Sequence, residues 1–277
     1  MNNHPILELQ NVSVVYRQRN GLHTSLHEIG LQIGQGEWLA IAGRNGSGKS
    51  TLAKVIAGLC PISKGTITKQ ADLGHISMVF QNPDSQLIGE TIFEDLCFSM
   101  ENFQVDPNDM EIRAREALQQ VGLAMDIHWE VSRLSGGQKQ LLNIAGCLVT
   151  GANLFLFDES TSMLDPLARE RMLQVVRTLH KAGRTIVWIT QWMEELAWAD
   201  RVIVLEDGRI KFSGCPRKFF YGVSNQTEWS PCEQFRFPPP YVVQVARLLQ
   251  QKGIDIPKGP LTVEEFQQMC GAICQSV

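Results

Sequence analysis

Nowhere does the chain carry the run of about 18 apolar residues that a membrane-crossing helix requires, so it does not span a bilayer by itself. Its first residues, Met1-Asn2-Asn3-His4-Pro5, have neither the basic nor the apolar segment of a secretion signal, and the expected compartment is the cytosol. An excess of cations is missing too: 25 Lys and Arg stand against 29 Asp and Glu, a net charge of −4, which leaves no basic footprint for nucleic acid. The seven cysteines are odd in number and contain no Cys-x-x-Cys pair, which argues against both a disulfide framework and a zinc site. Cys270 and Cys274 alone share a helical spacing; with no third ligand nearby they read as one packed helix face rather than a metal pair. What remains is an ordinary globular composition, 44% hydrophobic and 19% charged, in 277 residues, enough for one large domain with an appendage.

Against that background one stretch stands out. Gly43-Arg44-Asn45-Gly46-Ser47-Gly48-Lys49-Ser50-Thr51 fits the pattern G-x-x-x-x-G-K-[ST], after the apolar run Trp38 to Ala42 and before a helical pattern over 51–57. The glycines let backbone N–H groups turn inward and cradle phosphate oxygens at a helix N-terminus. Lys49 then brings a mobile positive charge to the β- and γ-phosphates of a nucleotide, and the Ser50 hydroxyl is the natural ligand for a Mg²⁺ riding on them. A glycine-rich turn that binds nothing is the bland alternative, disfavoured by the strand before and the helix after.

The rest of the chain arranges itself around this loop. Residues 6–16 and 31–33 alternate loosely and read as a small β-layer, with Tyr16 placed either to stack on an adenine or as plain sheet filler. Residues 61–74 read as turn-rich. The strand pattern Ile76 to Phe80 delivers Gln81 to the crevice at its carboxyl end, where it could touch Mg²⁺ or an attacking water, or be an ordinary turn residue. Apolar spacing from Ile92 to Met100 and through Ile112, Leu118 and Val121 predicts an inserted helical subdomain over about 84–145. Ser135-Gly136-Gly137-Gln138 opens another helix with a second anion-binding geometry, suited to a nucleotide held by another subunit.

Leu154 to Phe157 is a buried strand pattern ending in Asp158 and Glu159, two carboxylates with a natural division: Asp158 toward Mg²⁺, Glu159 toward the attacking water. Asp165-Pro166 caps a long helix, and the strand Thr185 to Thr190 ends at Gln191. A short helix and a hairpin at Asp207-Gly208 follow. Strand patterns beginning at 38, 76, 154, 185 and 202, separated by helices, predict an α/β fold of the P-loop NTPase type with a mostly parallel sheet. One domain over 1–221 is expected, then a stiff connector to Pro240 and two short accessory helices, Tyr241 to Gln251 and Thr262 to Cys274, within 222–277.

The phosphate loop, Gln81, Leu134 to Gln138, Phe157-Asp158-Glu159 and Ser162-Met163-Leu164-Asp165, in this order over residues 6–221, resemble the ATPase subunit of an ATP-binding cassette transporter. Within that superfamily, Phe80-Gln81-Asn82-Pro83-Asp84-Ser85-Gln86 with Glu94-Asp95 and the tail Pro260-Leu261-Thr262-Val263-Glu264-Glu265 is similar to the energy-coupling factor ATPases, which power uptake of vitamins and of cobalt or nickel. The resemblance implies Mg-ATP hydrolysis by two ATPase subunits, copies or paralogues, facing head to tail. Each ATP lies between one phosphate loop and the partner subunit's signature, residues 135–138. It implies adenine stacking by Tyr16, coupling across the interface by Asp165, and attachment to the cytosolic face of a membrane. A transmembrane coupling subunit would be met through the groove near Gln81 to Met100, beside a membrane subunit that binds the substrate.

One position departs from the pattern. The family places a histidine after the strand 185–190, and this chain has Gln191; its six histidines, at 4, 23, 27, 75, 128 and 180, lie elsewhere. A glutamine amide donates a hydrogen bond but neither carries charge nor shuttles a proton. By analogy with losing one oxyanion donor, the exchange costs about 2 to 4 kcal/mol of barrier, or roughly a hundredfold in rate. A weakly hydrolysing, nucleotide-gated member of an asymmetric pair is therefore the rival reading, whereas a DNA-repair cassette lacks its coiled-coil heptads here and a metabolic kinase leaves the signature unexplained.

Overall fold

Leu7 and Leu9, then Val12 and Val14, point inward from strand β1 (Pro5–Gln18), with a register shift between the pairs at Asn11, whose φ of 52° lies in the left-handed region. The shift keeps both pairs on the core face, where strict alternation would have turned the second pair to solvent. The structure, a computed structural model, describes residues 5–18, 21–222, 229–254, 256 and 259–275. β1 forms a long antiparallel hairpin with β2 (Gly21–Gly34). The wholly buried run Trp38–Ala42 is β3, and the phosphate loop leads from it into helix α1 (Lys49–Ala57), which Gly58 ends in a left-handed cap.

The stretch read as turn-rich contains a strand, β4 (Lys64–Lys69), which completes an antiparallel sheet in the order β2-β1-β4. It pairs with Leu7 to Ser13 of β1 but buries no residue of its own, so the alternation that marks a strand is missing from its sequence. After β5 (Ile76–Val79) come α2 (Ile92–Glu101), α3 (Pro107–Gln120) and α4 (Gly136–Val149), with no strand between β5 and β6 (Leu154–Asp158) among the described residues. Asp165 caps α5 (Pro166–Lys181), accepting from the N–H groups of Leu167 and Ala168, and β7 (Thr185–Ile189) follows. The helix expected before β8 (Arg201–Glu206) is a 3₁₀ segment, Met193–Trp198, of six residues. Asp207 and Gly208, with φ of 47° and 68°, turn β8 into β9 (Arg209–Gly214).

The second sheet runs β5-β6-β7-β3-β8-β9, parallel except for β9 at the edge. Alternate residues of each strand serve opposite faces. Trp38, Ala40, Phe155, Phe157 and Trp188 pack toward the helices α2 to α5, and Leu39, Ile41, Leu154, Leu156 and Val187 toward α1 and the first sheet. Burial on both faces explains why these strands read as unbroken apolar runs. The order β6-β7-β3 also sets the segments leaving three strands side by side at the carboxyl end of the sheet, where α/β sheets bind ligands.

The tail is more structured than a stiff connector. α6 (Pro216–Tyr221) and α7 (Pro231–Gln234) precede α8 (Tyr241–Gln251) and α9 (Val263–Gln275), and Phe235 and Phe237 pack against the main core. The first part of the expected connector, residues 223–228, lies outside the described residues, as does the side chain of Cys274. The ion pair Arg217–Glu265 at 2.7 Å and Tyr221 Oη donating to Pro260 O at 2.7 Å hold the tail on α6, and Arg247–Glu233 at 2.6 Å joins α8 to α7.

Candidate functional site

The phosphate loop is closed so tightly that two of its residues must be glycine. A Cβ at Gly43 would stand 2.5 Å from Leu205 O and 2.6 Å from Ser47 Oγ, and one at Gly48, whose φ is 102°, would stand 2.7 Å from Ser25 O. α1 therefore starts with Gly48 as its N-cap, without a side-chain cap and without an acidic residue in its first turn, so its leading N–H groups have no anionic partner from the chain. Ser47 Oγ is buried with no hydrogen-bond partner. Lys49 is 5% exposed, its Nζ donating to Gly43 O at 2.8 Å and Arg44 O at 3.1 Å. Open N–H groups, an unpartnered hydroxyl and a buried cation form one anion site, and a polyphosphate fits that donor set.

The carboxylates arrive from β6, two strands away. Ser50 Oγ donates to Asp158 Oδ1 at 3.2 Å, bringing together two oxygen ligands of the kind a hard divalent cation takes. Burial pushes the Asp158 carboxyl above its ordinary pKa, with Ser50 opposing, which is the environment a bound cation would reverse. Glu159 follows in the left-handed region, φ 51°, its N–H donating to Ile189 O at 3.0 Å. That strained backbone aims the carboxylate at the loop: Glu159 Oε1 lies 3.6 Å from Lys49 Nζ.

Gln191, at the end of β7 between the other two strands, closes the cluster. Its Nε2 donates to Glu159 Oε2 at 2.7 Å and to Asn45 Oδ1 at 3.1 Å, joining the carboxylate to the phosphate loop. The turn that carries it is fixed from below by Glu195, 1% exposed, whose Oε2 accepts from Thr190 Oγ1 at 2.5 Å and Trp188 Nε1 at 2.9 Å. Burial raises the Glu195 pKa. Nothing in the sequence separates Glu195 from its neighbour Glu194, because the partners that use it are set by the fold.

The remaining expected residues fall in three places. Tyr16, 38% exposed near the end of β1, has its hydroxyl 3.3 Å from Cys60 Sγ, just past the C-terminal cap of α1; hydrogen bonding with Cys60 raises its pKa and with Thr51 lowers it. Arg44 and Gly46 are exposed on the loop's outer turn. Gln81 is exposed at the end of β5, and its carbonyl lies 3.3 Å from Gln140 Nε2, a buried amide that also reaches Ser160 O at 3.0 Å. Ser135 and Gln138 cap α4 reciprocally, Ser135 N–H donating to Gln138 Oε1 at 2.8 Å and Gln138 N–H to Ser135 Oγ at 3.3 Å. Among the described residues no hydrogen bond or ion pair joins 135–138 to the phosphate loop. The structure thus brings the loop, Asp158, Glu159 and Gln191 together, and leaves 135–138 and Asp165 outside that cluster.

Comparison with known proteins shows the family and the fold. The family model described as ABC transporter matches residues 26–162. The energy-coupling factor transporter ATP-binding protein EcfA1 of Geobacillus kaustophilus is 38% identical over 273 residues, 95% of each chain. That of Streptococcus sanguinis is 35% identical over 279 residues, 97% of this chain and 98% of its own. Among solved structures, cbiO1 from Clostridium perfringens, part of the ABC transporter complex cbiONQ, superposes with a TM-score of 0.70 at 29% identity, covering 78% of this chain and 90% of that one. A dimeric ATP-binding cassette in a post-hydrolysis state with ADP and Pi superposes with a TM-score of 0.67 at 27% identity, covering 76% and 99%.

Proposed function

The chain belongs to the ATP-binding subunits of energy-coupling factor transporters, within the ABC transporter family, and from that premise we propose a division of labour among its residues. Its activity is ATP hydrolysis coupled to import. Lys49 leaves the loop carbonyls to meet the β- and γ-phosphates, and the N–H groups at the start of α1 hold the rest of the chain of phosphates. Ser50, Asp158 and Gln81 would hold Mg²⁺, which would supply charge neutralisation to the phosphates. Glu159 orients the attacking water and accepts its proton, and Gln191 donates to Glu159 in the resting site and to developing charge during reaction. Tyr16 stacks on the adenine.

The observation that carries this reading is the convergence of Lys49 and Gln191 on Glu159 at the mouth of the phosphate loop, with Gln191 also bonded to Asn45 of that loop. Residues 135–138 serve the nucleotide of a second ATPase subunit, and Asp165 couples the two sites. The groove of about 220 Å³ between β5, α2 and α4, edged by the exposed Ile88, Phe98 and Phe103, takes a transmembrane coupling subunit. On this reading the chain works at the cytoplasmic face of a membrane, serving import of a vitamin or a transition-metal ion chosen by another subunit.

The test is Mg-ATP turnover of the purified chain over a series of protein concentrations, beside Glu159→Gln. Turnover that rises faster than linearly and is lost in the variant supports a self-pairing, Glu159-dependent enzyme. Turnover that survives in Glu159→Gln removes Glu159 from the mechanism. The hydrogen bond from Gln191 to Glu159 favours a second reading, in which a neutral amide occupies the carboxylate and this chain is the slower member of an asymmetric pair. Gln191→His then gains roughly a hundredfold in turnover, the size of one lost donor; an unchanged rate would rule that reading out.

A further inference from the structure

The segment leaving β5 is held by one polar face of α4. Lys139 Nζ lies 2.5 Å from Asp84 Oδ1, Asn143 Nδ2 donates to Pro83 O at 3.3 Å, and Gln140 Nε2 donates to Phe80 O at 2.9 Å and Gln81 O at 3.3 Å. Gln140 does one thing more, because the same nitrogen donates to Ser160 O at 3.0 Å, the residue after Glu159. It is 0% exposed, in a helix whose neighbouring positions Leu141, Leu142, Ile144 and Ala145 are apolar core. A buried amide is unfavourable there unless bonded, and a leucine of similar size would fill the space. Three carbonyls share the two hydrogens of Nε2, and the longest contact is to Gln81. When the Gln81 segment shifts, a hydrogen can pass from one carbonyl to another without leaving the amide unpaired.

We infer that Gln140 is a positioning residue for ATP hydrolysis. It ties the Gln81 segment, the Glu159–Ser160 turn and the helix that presents Ser135 to Gln138 into one unit, so that a change at one is passed to the others. This rests on the reading of Gln81 and Glu159 as site residues. Gln140 touches neither nucleotide nor water in this scheme and acts through the main chain of its partners.

The experiment compares the whole wild-type chain with Gln140→Leu and Gln140→Glu by turnover, by affinity for a fluorescent ATP analogue, and by hydrogen exchange with and without Mg-ATP. In Gln140→Leu, kcat falls about tenfold while analogue affinity stays within about threefold, the scale expected when buried carbonyls lose their donor but the cradle is intact. In Gln140→Glu, the buried carboxyl keeps one O–H donor only while protonated. Its turnover relative to wild type is therefore highest near pH 5.5 and falls toward about pH 8.5. Exchange supplies a reading independent of turnover: Mg-ATP slows residues 80–86 and 135–139 together in wild type, and only the phosphate loop in Gln140→Leu. A Leu variant with kcat within about twofold of wild type, or one whose 80–86 and 135–139 segments still respond to Mg-ATP, overturns the inference. If the Leu variant does not fold, a pH-independent ratio for Gln140→Glu overturns it instead. If wild type shows no turnover, the ATPase reading fails on its own, and the exchange comparison still decides the role of Gln140.

Discussion

α1 and α4 both begin at glycine-rich turns, yet their surroundings differ in kind. At α1 the chain supplies no side-chain cap, buries Lys49 beside the opening and leaves Ser47 Oγ without a partner. At α4 the chain satisfies itself, since Ser135 and Gln138 cap each other and both Ser135 and Gly136 face solvent. The first end is incomplete without an anion. The second is stable alone and offers only a surface, which suits a role that begins when another subunit arrives. Possession of an N-terminal dipole therefore says little about where a phosphate binds; the groups left unsatisfied around it say more.

The same substitution at each end should break the symmetry most sharply. In Gly43→Ala the new Cβ meets the Leu205 carbonyl, which is backbone and does not give way, so the cradle deforms. ATP affinity of the isolated chain is expected to fall by about 10- to 100-fold, matching about 1–3 kcal/mol of overpacking. In Gly136→Ala the Cβ meets nothing within 4 Å. Its ATP affinity should stay at the wild-type value and its melting temperature should not drop, yet turnover at high protein concentration should fall if, as proposed, a partner's nucleotide takes the open space. Titration calorimetry on both variants, with turnover alongside, checks the pair, and a Gly136→Ala enzyme with full turnover would remove 135–138 from the trans site. The adjacent Gly137 has a different reason for being glycine, since its Cβ would stand 2.6 Å from Ala168 Cβ on α5.

How far these differences could be read in advance depended on whether the partners are near in sequence. The phosphate loop, Asp158-Glu159 and the cap at Asp165 were legible because each is a contiguous pattern with its chemistry inside it. β4 escaped because an edge strand that buries nothing carries no alternation. Gln140 escaped because its acceptors are main-chain carbonyls 60 and 20 residues away, and Glu195 because its partners meet it only after β7 has joined the sheet. The left-handed backbone of Glu159 left no trace either, since glutamate is an unusual choice for that region and only the fold holds it there. Gln191 was visible as a departure, but its bond to Asn45, which links the end of β7 to the phosphate loop, was not.

The smallest expected effect on stability separates the two jobs of Ser135. Its hydroxyl accepts from Gln138 N–H at 3.3 Å as a helix cap, and in the proposed paired enzyme the same hydroxyl would face a phosphate. Ser135→Ala removes both functions and should cost about 1 kcal/mol of stability together with turnover. Ser135→Asp keeps the cap, because aspartate is as good an N-cap residue as serine, and its charge is favourable at a helix N-terminus. Its unfolding free energy should match wild type within about 0.5 kcal/mol by denaturant titration. The added charge would nevertheless stand against the γ-phosphate of the opposing site, so paired turnover should drop at least as far as in Ser135→Ala. A Ser135→Asp chain that turns over normally would mean that α4 is capped for its own sake, and that its likeness to α1 ends at the glycines.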